Sequence, residues 1–149
     1  MLDRIDIQIL NILQQNGRTK RSVMAEQVGL SLPSLSERIK KLEDHEIIQG
    51  YFTRVNRKAF GFDIMAIIHI ITESSKNYQL LAENVLATPE ILECYSVLGD
   101  SSHMMKAIVK DTEALEKLLG KIQSWPGVAR TVTNFVLSAI KESNELPLK

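Results

Sequence analysis

The sequence has a single cysteine, Cys94, so it can hold no intramolecular disulfide, and its fold does not depend on an oxidising compartment. It has no long apolar run. The most apolar stretch, Ile64 to Ile71, is eight residues long and contains His69, whereas a membrane span needs about 20. The start, Met-Leu-Asp-Arg-Ile-Asp, carries two acids and no apolar segment, so no secretory signal is expected. These absences exclude a membrane partner and predict a cytoplasmic protein. There is no phosphate-binding glycine loop. The three histidines, His45, His69 and His103, are far apart, with no metal-ligand spacing to Cys94 or to carboxylates. No metal and no cofactor is expected.

Hydrophobic residues at 44% and charged residues at 24% of 149 positions are globular composition. A chain of this length is one ordinary domain or two small ones, and burial of roughly 70% of the unfolded surface supplies a core. Net charge is zero but unevenly distributed. Residues 1–60 hold ten Lys/Arg against seven Asp/Glu, and residues 61–149 hold eight against eleven. A basic first part and an acidic second part suggest two jobs, one of which meets an anion.

Ile5, Ile9, Ile12 and Leu13 make one apolar helix stripe over residues 2–15, with Asp3 and Asp6 in the first turn and Asn16-Gly17 as the stop. Lys20 to Val28 forms a second helix, with Thr19 as its cap, Val23, Met24 and Val28 inward, and Gly29 at its end. Ser31 caps a third, with Pro33 in its first turn and Leu32, Leu35, Ile39 and Leu42 inward. Its other face carries Ser34, Glu37, Arg38 and Lys41, edged by Ser36 and Lys40. Two helices around a glycine turn, the second polar and basic, read as a helix-turn-helix that meets double-stranded DNA. Serines near the helix start can approach bases or phosphates, and Arg/Lys neutralise the backbone. Periodicity alone fits a solvated bundle equally well. The Ala25-x-x-x-Gly29 spacing and the serine-rich helix start favour DNA.

Tyr51, Thr53 and Val55 then alternate with Phe52, Arg54 and Asn56, which predicts a short hairpin or hinge strand, and Asn56 to Gly61 reads as a linker. Five elements follow the β-branched strand Ile64 to Thr72. They are a helix Asn77–Ala87, strands Ile91–Leu98 and Met104–Val109, a helix Thr112–Ile122 and a strand Val128–Leu137. The order βαββαβ is ferredoxin-like. Pro89-Glu90-Ile91 and Pro126-Gly127-Val128, thirty-seven residues apart, each open a strand after a helix, as two similar halves would. The expected class is α+β: a (winged) helix-turn-helix domain over 1–50, a hinge strand and linker over 51–61, and a ferredoxin-like domain over 62–149.

Val28 to Glu43, VGLSLPSLSERIKKLE, with Ile47 to Tyr51, IIQGY, resembles the DNA-binding domain of the Lrp/AsnC (feast/famine) transcription regulators. Val97-Leu98-Gly99-Asp100, Trp125-Pro126-Gly127-Val128 and Arg130-Thr131-Val132-Thr133 resemble that family's effector-binding and oligomerisation domain. The resemblance runs over essentially the whole chain. It implies a sequence-specific regulator that forms dimers, often joined into tetramers or octamers, and answers to a small effector, usually an amino acid. DNA contacts are then expected from Ser31, Ser34, Ser36, Glu37, Arg38, Lys40 and Lys41. Effector contacts are expected from Leu98, Gly99, Asp100, Ser101 and Ser102, with Thr131 and Thr133 nearby. The sequence departs from the family at one point. Many members continue Gly-Asp with a further acid and an aromatic, where this chain has Ser102 and His103. Weak or altered amino-acid binding, or none, is the expectation. Asp100 either caps its own turn or holds an ammonium group.

An enzyme is not expected. Cys94 reads as a small side chain buried in a strand. Ser101-Ser102-His103 sets a hydroxyl beside an imidazole, but adjacent residues rarely align as nucleophile and base, and no third group orients them. The enzymatic alternative is a sirohaem decarboxylase, whose fold resembles this family's, with His103 and Arg130 as the residues concerned.

Overall fold

A computed structural model describes residues 2–149. They form two compact units, one running to Arg54 and including Lys141–Lys149, the other spanning Val55–Ile140. Among the described residues no helix is long and apolar enough to cross a membrane.

The first unit is helical. Asp3 accepts from the N–H groups of Ile5 and Asp6 at 2.9 Å, and Asp6 accepts from that of Asp3 at 3.0 Å, a reciprocal box that starts α1 (Arg4–Gln15). Helix α2 (Arg21–Val28) begins at Lys20 with no side-chain cap. Thr19 is not its cap, because its hydroxyl donates to the Asn16 carbonyl at 2.7 Å and is committed to the preceding turn. Gly29 (φ +69°) takes the left-handed conformation that ends α2. Ser31 accepts from the Ser34 N–H to open α3 (Leu32–Asp44). Ile9, Leu10, Met24, Ala25, Leu35, Ile39 and Leu42 are the core. Two expected core residues are solvent-facing, Val23 at 43% and Leu32 at 48% exposure. Met24 and Ala25 face inward, so Val23, about 100° and 200° of arc away from them, faces out. Leu32 lies on the apolar stripe of α3 but at its first residue, where the stripe runs past the edge of the core.

After α3 the chain is extended but unpaired over Tyr51–Asn56, where a hairpin or hinge strand is expected. Alternation supplies the strand pattern, but a strand needs a hydrogen-bonded neighbour, and this chain offers none there. The Tyr51 hydroxyl donates to Glu43 at 2.8 Å, and burial together with that carboxylate pushes its pKa up to about 12. Lys141–Lys149, placed by sequence with the second domain, packs here instead. Leu148 lies against the helical core and Gln14 bonds the backbone of Leu146. A short aperiodic segment carries no signal of the surface it covers.

The second unit opens with a single 3₁₀ turn, Arg57–Phe60, capped by Asn56. Then follow β1 (Ile64–Thr72), α4 (Tyr78–Leu86), β2 (Ile91–Ser96), β3 (His103–Val109), α5 (Thr112–Gln123) and β4 (Val128–Phe135). The antiparallel sheet runs β2-β3-β1-β4, the ferredoxin-like order with β1 central. Ile64, Ala66, Ile68 and Ile70 of β1, with Met105, Ala107 and Val109 of β3, pack against Leu81 of α4 and Leu118 and Ile122 of α5. The other sheet face bears Ile67, Ile71, Met104, Ile108 and Val132, all outside that core.

Candidate functional site

On α3, Ser34, Glu37, Lys40 and Lys41 are exposed and Ser36 and Arg38 are half-buried. Ser31 and Ser34 bond each other through their hydroxyls at 2.8 Å. The Lys41 ammonium lies 2.9 Å from Glu37 and holds its carboxyl below the usual range. Arg38 turns toward α1. Its Nη1 donates to Asp3 at 2.7 Å and to Asp6 at 2.9 Å. The Asp6 N–H, and then Arg38, hold the Asp3 carboxyl below its ordinary value, and the two carboxylates push the guanidinium up.

In the second unit the β2–β3 turn walls an open cavity of about 370 Å³. Val97 and all five expected turn residues, Leu98 to Ser102, line one side. Ile71, Thr72, Ser74, Ser75 and Tyr78 line the other, residues the sequence reading did not name. Only the pairing of β1 with β3 brings them to the turn, so no local spacing could have shown them. Ser74 also opens a short 3₁₀ turn, which is all its sequence context signals. Thr131 and Thr133 do not line the cavity. They pair with Ile70 and Ile68 on the helix-covered face, and Thr131 accepts from Gln123 at 3.0 Å.

Asp100 is exposed. The turn is closed not by Asp100 but by Ser102, whose N–H and hydroxyl both donate to the Ile70 carbonyl, at 2.9 and 3.0 Å. The Ser102 Oγ also lies 3.0 Å from the His103 Nδ1. His103 also meets the Tyr78 ring edge-on at 4.8 Å, and burial lowers its pKa.

Burial pushes the half-buried Cys94 thiol up, away from the reactive thiolate. His103 pairs with Ile70 and Arg130 with Ile71, so the two project from opposite sheet faces. Among the described residues no cluster of three or more His, Cys, Asp or Glu could hold a metal.

A helix-turn-helix with a polar, exposed third-helix face, joined to a ferredoxin-like unit, is the architecture of a DNA-binding transcriptional regulator. The chain belongs to the Lrp/AsnC family. Residues 65–146 match the Lrp/AsnC ligand binding domain and residues 2–49 a winged helix-turn-helix DNA-binding domain. It is 37% identical to the HTH-type transcriptional regulator FL11 of Pyrococcus abyssi, over 99% of this chain and 97% of that protein. It is 35% identical to the leucine-responsive regulatory protein of Escherichia coli, over 99% and 92% respectively. The crystal structure of the regulator NMB0573 from Neisseria meningitidis in complex with L-Met superposes with a TM-score of 0.94, at 31% identity, covering 99% of this chain and 97% of that one. The decarboxylase alternative finds no support among these relatives.

Proposed function

We propose that α3 reads double-stranded DNA through Ser31, Ser34, Ser36, Glu37, Lys40 and Lys41, and that the cavity at the β2–β3 turn takes a free amino acid. In this division the helical unit, up to residue 54 with 141–149, holds DNA, and the sheet unit, residues 55–140, senses the effector and joins copies of the chain into dimers and larger assemblies in the cytoplasm. Arg38, with its Nη1 held by two carboxylates, sets the position of α3 and is not a base reader. The carrying observation is the cavity itself. It offers Asp100 for an ammonium group, hydroxyls from Ser74 and Ser75, and turn N–H groups suited to a carboxylate. No Lys or Arg lines it. L-Met bound to a regulator of the same fold supports the ligand class.

A pull-down of genomic DNA, followed by calorimetric titration with each of the twenty amino acids, tests both halves. Asp100→Asn should weaken the amino acid that binds by roughly tenfold or more, since a hydrogen bond to a charged group contributes about 1.5–3 kcal/mol. Tight binding indifferent to Asp100→Asn would mean the ligand lies elsewhere. Replacing both Lys40 and Lys41 by Ala should weaken all DNA sequences alike and lower the salt slope by roughly one for each lysine.

A further inference from the structure

Residues 141–149 leave the sheet unit and dock on the helical one at three points. The Gln14 carboxamide clamps the backbone of Leu146 from both sides, donating to its carbonyl at 3.2 Å and accepting from its N–H at 2.6 Å. Leu148 packs on the core of the helical unit. Arg54 donates to the Glu142 carbonyl at 3.2 Å and meets its carboxylate at 2.6 Å.

The docked segment bears on α3 through α1, because α1 carries the two carboxylates that hold Arg38. The chain also passes between its two units twice, at 54–55 and at 140–141. We propose that α1 carries a peptide-docking surface whose occupant is this chain's own residues 141–149, and that the helix-turn-helix reaches full DNA affinity only with this strap seated. Lys141 and Lys149 balance Glu142 and Glu145, so the strap adds no net charge for phosphates. It acts by completing a fold, which makes it a second route, besides the hinge, by which the sheet unit can act on DNA binding.

The test compares the full chain with one ending at Ile140, on a duplex selected from random sequence by the full-length protein. Removal of the strap should weaken binding roughly tenfold, equivalent to about 1.4 kcal/mol, and speed amide exchange in α1 while leaving the sheet strands protected. A synthetic peptide of residues 141–149 added in trans should restore both, and the same peptide with Leu148→Asp should not. Should the truncated chain fold poorly, Gln14→Ala and Leu148→Ala in the full chain give the same readout in smaller measure. Wild-type affinity and α1 exchange in those folded variants overturn the proposal. Weaker binding of the truncated chain with unchanged α1 exchange also overturns it, since the segment would then be touching DNA directly.

Discussion

The guanidinium of Arg38 faces two carboxylates that also cap α1, so one side chain ties the start of the first helix to the middle of the third. This arrangement makes a sharp prediction. If Arg38 were a base reader, neutralising Asp3 and Asp6 would free it and remove negative charge, and DNA would bind more tightly. As a positioning group it predicts the reverse. Asp3→Asn with Asp6→Asn should weaken DNA binding, Arg38→Ala should do so to a similar degree, and the combination should add little more. Filter binding on the four proteins decides it. His103 supports a second prediction. Burial lowers its folded pKa below the ordinary value near 6.5, so in acid the unfolded chain binds the extra proton first. The stability due to neutral His103 is complete above about pH 6.5 and falls as the pH drops through that value toward the folded pKa. The melting temperature measured between pH 7.5 and 5.5 should therefore fall less steeply in His103→Gln than in the parent.

Elements differ in how openly the sequence announces them. Strand β1 spans Ile64–Thr72 in both readings, because β-branched residues buried on a central strand leave no helical alternative. The cap of α3 was equally legible, since Ser31 acts within three residues of itself, whereas Asp3, expected inside the first turn of α1, is its cap. Two further misreadings were local, the Thr19 cap and the inward Val23; the rest depend on a distant neighbour: the core edge at Leu32, the unpaired hinge at Tyr51–Asn56, and the far wall of the cavity. The β2–β3 turn itself was found because five consecutive residues form it; Thr72, Ser74, Ser75 and Tyr78 reach it only through the fold. The helix-to-strand junctions carry a prediction of their own. Gly127 has φ +84°, and a Cβ there would come within 2.8 Å of the Asn77 side chain. Gly127→Ala should lower stability by about 1–3 kcal/mol, measured by urea unfolding. Gly29→Ala, with a similar φ but open space around it, should cost less.

At the scale of the whole molecule, the uncovered sheet face is a candidate for self-association. Helices α4 and α5 cover one face, and the other presents Ile67, Ile71, Met104, Ile108 and Val132, with Tyr95 half exposed beside them. His69, Arg130, Asn134 and the Lys106–Glu93 ion pair lie among these apolar side chains on the same face, and a second copy of that face is its simplest partner because a two-fold contact is self-complementary. A dimer built this way carries two α3 helices. Each target site should then be an imperfect palindrome whose halves lie about 34 Å apart along the duplex, or a multiple of that. Val132 is the side chain to change, being 41% exposed and outside the core. Val132→Arg should leave each chain folded, since its position bears on no core neighbour, yet set two buried charges against each other across the two-fold axis. Light scattering at micromolar concentration should show the parent as a dimer or larger and Val132→Arg shifted toward monomer, with affinity for a palindrome falling to that for a half-site. A monomeric parent, or a variant that keeps both its mass and its palindrome affinity, would place the self-association on another surface.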